Sequence, residues 1–165
     1  PGTGSSPHLA LEEFAQQAGI ELSHIPFKGS AQTLQAVMGG HTMGMSDSTG
    51  WGQMVDAGKL RLLATYGSKR TTRWSTVPTL NDLGYDTVAD SPYGVCGPKN
   101  MDPAVVKILH DAFKKTLTDP AVLAVFAQFD QPVIEMNTEE YTKYAMKTYA
   151  AERKTIERLG MLNKD

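Results

Sequence analysis

Hydrophobic positions along the chain switch repeatedly between a helical spacing and a short alternating one. Ser5 or Ser6 is placed to cap a first helix with Pro7 in its opening turn. That helix runs to about Ala18, where Gly19 stops it, with Leu9, Phe14 and Ala18 on one face. Glu12, Glu13, Gln16 and Gln17 fall mostly outside that face. Residues 20–26 alternate and end at a proline, which predicts a strand. Lys28-Gly29-Ser30 reads as loop and cap, and Leu34, Val37 and Met38 mark a helix closed by Gly39-Gly40. A short strand over 43–46 leads through Asp47-Ser48-Thr49-Gly50 to a short helix ending at Asp56, before Gly58. Residues 60–65 form the next strand, and after a polar stretch from Gly67, Thr79 caps a one-turn helix.

From residue 91 the pattern changes. Residues 91–96 read as extended. Asp102-Pro103 starts a helix with Val106, Leu109, Phe113 and Leu117 in a stripe, and Asp119-Pro120 starts another, to about Phe129. Residues 132–135 suit a strand, and Asn137 with Glu140 makes a capping box for a long helix over 139–158, finished by Gly160. Alternating strands and helices predict α/β layers with a largely parallel sheet. The shift near residue 92 divides the chain into lobes 1–91 and 92–165, the second mostly helical.

Composition excludes more than it selects. The chain has 165 residues, with 16 Lys and Arg against 18 Asp and Glu, a net charge of −2. That balance gives no footprint for nucleic acid. A single cysteine, Cys96, excludes an internal disulfide framework and a cysteine-based zinc site. No apolar run approaches the roughly 20 residues of a membrane span. The opening Pro1-Gly2-Thr3-Gly4 reads like the inside of a loop, and no signal peptide stands in this chain.

Three segments share one form, a small polar loop leading into a helix start: Gly2 to His8, Phe27 to Ser30, and Ser46 to Gly50. In an open α/β sheet such junctions gather at the carboxyl ends of the strands, where ligands bind. Helix starts present free N–H groups and the positive end of the dipole, which suits an anion. A carboxylate gains about 0.3–2 kcal/mol from each dipole and about 1.5–3 kcal/mol per charged hydrogen bond. Each segment alone is also readable as an ordinary helix cap. His8, in a first helical turn, suits either a ligand or a structural role, whereas His24 and His110 read as structural or exposed. His8 with Glu12 lacks a third convergent ligand for a metal.

Enzyme signatures fail. Gly44-Met45-Ser46-Asp47-Ser48 has serine where a nucleophile elbow closes with glycine. Gly2 and Gly4 lack the third glycine of a dinucleotide fingerprint. Cys96 reads as a small packed residue, and Lys69, Arg70 and Arg73 as a solvated loop. No catalytic residue, cofactor or metal is expected.

Three stretches carry a resemblance: PGTGSSPHLA at 1–10, IPFKG at 25–29 and AGKLRLLAT at 57–65. With Lys69-Arg70, Val77-Pro78-Thr79, Gly84, Asp119-Pro120 and the Glu139-Glu140-Tyr141 helix, the chain resembles Bug-type solute-binding proteins of tripartite tricarboxylate transporters along its whole length. The resemblance implies a type II periplasmic-binding-protein-like α/β fold with two lobes closing over a ligand. It implies a periplasmic receptor that delivers a small carboxylate to membrane permease subunits. It carries ligand-binding roles to Thr3, Gly4, Ser5 and His8, to Phe27, Lys28 and Gly29, and to Asp47. Asp47 would face a carboxylate only as acceptor from water or from a ligand hydroxyl or amine.

Departures from the family pattern bear on ligand identity. Phe27 replaces a tyrosine, Ser48 and Thr49 replace Asn and an apolar residue, and Trp51 and Met54 enlarge side chains beside the cleft. Family members also carry an N-terminal segment building most of the first lobe and a strand before the first loop. Their absence makes this chain read as a C-terminal portion, with edges open to homodimerisation or strand exchange. The alternative expectation is a stand-alone interaction or regulatory module that kept the fold without a transport role.

Overall fold

The computed structural model describes residues 2–90 and 94–162. Six α-helices appear in it: α1 (Ser6–Ala18), α2 (Ser30–Met38), α3 (Gly52–Asp56), α4 (Pro103–Thr116), α5 (Pro120–Gln128) and α6 (Thr138–Arg158). Two 3-10 turns, Thr49–Trp51 and Asn81–Leu83, complete the helical structure among the described residues. Each helix sits where periodicity and punctuation place it. Pro7, Pro103 and Pro120 stand in first turns, where the missing N–H costs nothing. Gly19 closes α1 at φ 65°, a left-handed conformation that other residues resist.

The chain divides into two compact units, Pro1–Ser91 with Glu152–Asp165, and Pro92–Ala151. The expected lobe boundary between 91 and 92 falls outside the described residues. The first unit contains the buried apolar core: Leu9, Ala10 and Ala15 of α1, Ala36 of α2, Trp74 and Leu80. Phe14, rather than being buried with Leu9, meets Tyr85 edge-on at 4.9 Å. Gln17, expected outside, hydrogen-bonds the backbone of Asp86 and the Thr87 hydroxyl. Glu13 accepts from Thr155 and Arg158, holding the last turns of α6 to α1.

The expected strands are corrected in this structure. Among the described residues none of the segments 20–26, 43–46, 60–65, 94–96 or 132–135 forms a strand. Among the described residues there is one isolated bridge, parallel, Thr65 to Thr79, where Thr65 N–H donates to Pro78 O and Leu80 N–H to Thr65 O. Ala89 N–H donates to Tyr66 O on the other side. Alternation prepares a strand, but a strand exists only when a neighbour completes its ladder. Among the described residues no backbone hydrogen bond joins 21–27 to 43–47. Residues 91–93 of the expected extended segment lie outside the described residues.

In the second unit the helices are built by local rules. Asp102 accepts from Ala104 N–H at 2.8 Å, and Asp119 from Ala121 N–H at 2.8 Å. Asn137 and Glu140 form the reciprocal capping box at 3.0 and 2.9 Å. Lys107–Asp111 and Glu139–Lys143 pair one turn apart. No residue of α4, α5 or α6 is buried. Ile108, Leu109 and Phe113 are 68%, 43% and 49% exposed. Cys96, expected to be packed, is exposed.

Candidate functional site

The three polar loops of the first unit are tied to one another. The first turns at Gly4, whose φ of 77° lies in the left-handed region that favours glycine. Ser5 N–H and Ser5 Oγ both donate to Gly2 O, so its hydroxyl closes the loop and leaves α1 without a side-chain cap. A side chain at Gly2 would lie 3.7 Å from Phe27 O, which marks the approach of the second loop. In the second loop, Lys28 N–H donates to Gln32 Oε1, Phe27 is half-buried and Lys28 is exposed. Gly29 precedes α2 and supplies no side-chain cap. Ser30 Oγ then donates to Asp47 Oδ1 at 2.8 Å, joining the start of α2 to the third loop.

Asp47 Oδ1 also accepts from Ser48 N–H at 2.8 Å. Its other oxygen, Oδ2, is buried and has no hydrogen-bond partner among the described residues. Such an oxygen calls for a donor, since an unsatisfied buried polar group is costly. Ser46, just before it, is buried and donates to Pro7 O at 2.8 Å. Its hydroxyl also lies 3.0 Å from the Tyr66 hydroxyl, whose pKa burial pushes up. Ser46 thus fastens the third loop beneath the first turn of α1. With its hydroxyl between a carbonyl and a phenol and no histidine among its partners, it is a structural joint.

His8 is 5% exposed, and its Nδ1 accepts from Gly4 N–H at 3.1 Å. The neutral ring therefore carries its proton on Nε2, 3.6 Å from Glu12 Oε1. Burial, followed by the neighbouring His24, pushes the His8 pKa below its ordinary value, with Glu12 opposing. The two imidazoles stack at 3.9 Å, and His24 Nε2 is buried without a partner among the described residues. His24 reads from the sequence as structural or exposed. Only the tertiary pairing places it under the loop.

Of the expected site residues, Gly4, Ser5 and His8 form one bonded loop, and Asp47 joins it through Ser46 and joins the second loop through Ser30. Thr3 is exposed beside Gly4. Sequence reasoning missed Ser46 and Tyr66 as joints, because their partners stand 39 and 20 residues away. Lys69, Arg70 and Arg73 are exposed, as the sequence suggests, and Arg70 pairs with Asp82 and Arg73 with Asp56. Among the described residues no group of three or more His, Cys, Asp or Glu is placed to hold a metal. No helix among them is long and apolar enough to cross a membrane.

Comparison with known proteins agrees with the motif reading. The UPF0065 protein of the gbd 5′ region of Cupriavidus necator is 44% identical over 161 residues, covering 98% of this chain and 49% of that protein. BugT of Bordetella pertussis is 34% identical over 134 residues, covering 79% of this chain and 41% of BugT. The chain thus spans about half the length of these curated relatives. Among solved structures, a TctC solute-binding protein from Polaromonas superposes with a TM-score of 0.77 at 24% identity, over 95% of this chain and 55% of that one. Rpa4515 of R. palustris, solved with adipate, gives 0.80 at 22% identity, over 94% and 53%. At those identities the likeness is one of fold. The model of the tripartite tricarboxylate transporter family receptor matches residues 1–161, and the chain belongs to that family.

Proposed function

We propose that this chain is the C-terminal portion of an extracytoplasmic receptor that binds a small organic carboxylate and passes it to the permease of a tripartite transporter. One contrast carries the reading. Helices α1 and α2 begin without side-chain caps, whereas α4, α5 and α6 are capped by Asp102, Asp119 and Asn137. The short α3 also begins without one, and of these uncapped starts those of α1 and α2 are tied to Asp47 through Ser46 and Ser30. Free N–H groups and two dipole ends there suit a carboxylate, at about 0.3–2 kcal/mol per dipole. Thr3, Gly4, Ser5, His8, Phe27, Lys28, Gly29 and Asp47 are the ligand-facing residues in this reading. Asp47 Oδ2 selects acids that also bring a hydroxyl, an amine or a bound water, because a bare carboxylate would be repelled.

The complete receptor has two α/β lobes in a periplasmic-binding-protein arrangement, and works as a periplasmic receptor rather than an enzyme. Further polypeptide supplies the missing ladder partners and covers the exposed stripe of α4. Adipate in the R. palustris neighbour supports a dicarboxylate as the first ligand class to try. Calorimetry of the full-length receptor against succinate, adipate, benzoate and glutamate tests the proposal. Binding of at least one acid is expected, with weak or no binding by the 165-residue chain alone. Silence of the full-length receptor across the panel overturns it.

A second reading has its own support in exposed apolar residues of extended segments, Ile20, Leu22, Ile25 and Val95. Such edges suit strand exchange or a homodimer in a stand-alone module without a transport role. Light scattering after size exclusion separates the two: a monomer with no partner chain removes this second reading.

A further inference from the structure

Both tryptophans of the chain stand behind the third loop. Trp51 Nε1–H donates to Asp47 O at 3.2 Å, so the indole holds the backbone of the residue with the unpartnered carboxylate oxygen. Trp51 leans on Trp74, with ring centroids 5.0 Å apart and planes at 43°. Trp74 is only 9% exposed and is pinned from several sides. Its Nε1–H donates to Asp56 Oδ1 at 2.9 Å, and its backbone N–H donates to Thr71 Oγ1 at 3.1 Å. Arg73 pairs with Asp56 Oδ2 and lays its guanidinium 4.9 Å from the Trp74 ring centre. Gly52, between Trp51 and the rest of α3, leaves room for that ring: a side chain there would begin 2.7 Å from Trp74 Cη2.

These are links of one chain from the 71–74 turn to Asp47. Asp56 lies at the end of α3 and Trp51 at its start, so the Asp56–Trp74 bond and the Trp51–Trp74 contact grip the short helix at both ends. A five-residue helix has little stability of its own, and its position is set by such outside contacts. The Trp74 N–H bond, ahead of Arg73, holds the Asp56 carboxyl below the usual carboxylate range and keeps it an acceptor. None of these residues belongs to the set of candidate ligand-facing side chains. They act one step behind it.

We propose that Trp51, braced by Trp74, Asp56 and Gly52, is the positioning residue that holds Asp47 in its ligand-facing orientation. The proposal rests on the reading of Asp47 as ligand-facing, and it deepens that reading by naming what sets the residue's place. An aspartate loop held from behind by a rigid indole can select among acids by the position of their hydroxyl or amine. A mobile loop would adapt to many and discriminate among few.

The test does not depend on knowing the ligand. Ser48 N–H donates to Asp47 Oδ1, so its solvent exchange, measured by NMR on the 165-residue chain, reports the orientation of that carboxylate. Trp51→Phe keeps an aromatic side chain but removes the N–H together with the five-membered ring of the indole. It should speed Ser48 exchange about three- to tenfold, as expected for loss of one hydrogen bond. Gly52→Ala should do the same while changing the tryptophan fluorescence. Leu9 N–H, which donates to Ser5 O in α1, should stay as in the parent chain. Unchanged Ser48 exchange in both variants overturns the proposal, and so does equal acceleration at Leu9, which marks a general loosening. In the full-length receptor, any acid of the panel that binds should bind more weakly to Trp51→Phe; undiminished affinity also overturns it. A panel that gives no binding at all fails the receptor reading, while the exchange result still decides whether Trp51 positions Asp47.

Discussion

The two units of this chain obey the same local rules and end in opposite states. In the first, six apolar side chains are buried and the loops are joined by bonds that span up to 39 residues of sequence. In the second, α4, α5 and the part of α6 up to Ala151 are well capped and bury no residue. Capping, periodicity and paired charges suffice to make a helix. They do not cover it. Burial needs a partner surface, and most helical stability in proteins comes from that packing rather than from propensity.

The largest expected effect lies in the core of the first unit. Leu80→Ala removes a side chain that is 5% exposed and should cost about 2–5 kcal/mol in urea unfolding. Phe113→Ala, from a side chain 49% exposed, should change the stability of the same chain by less than about 1 kcal/mol. In the full-length receptor the proposed covering polypeptide should raise that second figure toward the core value of about 3–5 kcal/mol. Equal costs in the short chain would erase the contrast between the units.

A smaller effect reverses the comparison. Asp119→Ala deletes the cap of α5 and should destabilise by about 0.5–2 kcal/mol. Ser5→Ala should cost less at the start of α1, because Ser5 Oγ serves the loop carbonyl of Gly2 and caps no helical N–H. Thermal unfolding of the two variants side by side checks the order.

The smallest is a dependence on pH confined to the first unit. Burial holds the His8 imidazole below its ordinary 6.5, so the unfolded chain takes up a proton before the folded one does. Stability is therefore complete above about 6.5 and falls as pH drops from there toward the lowered folded value. His24 faces the ring and steepens the loss, and Glu12 at 3.6 Å softens it. The acid slope of unfolding free energy should flatten in His8→Gln; an unchanged slope would remove His8 as its source.

Every helix among the described residues was legible in the linear pattern, down to Asp102, Asp119 and the Asn137–Glu140 box. These signals are local, since a cap and its helix lie within four residues of each other. The loops of the candidate site were legible for a different reason: small polar residues before a helix start have few physical uses. Their joining was not. Nothing near Ser46 in the sequence announces Pro7 and Tyr66, and nothing near Asp47 announces Ser30.

The strands mark the limit from the other side. Residues 20–26 and 43–46 have the right alternation, yet a ladder is a property of two segments and the sequence states only one at a time. By itself, then, the sequence determined the helices, the caps of α4, α5 and α6 and the family likeness, because those rest on neighbours along the chain, whereas Ser5, expected to cap α1, donates to Gly2 O instead. The stacking of His8 on His24, the brace of Trp51 against Trp74 and the bare stripe of α4 were decided only in three dimensions. Each depends on which distant surface is present to pack against, and that is settled by the folded chain as a whole.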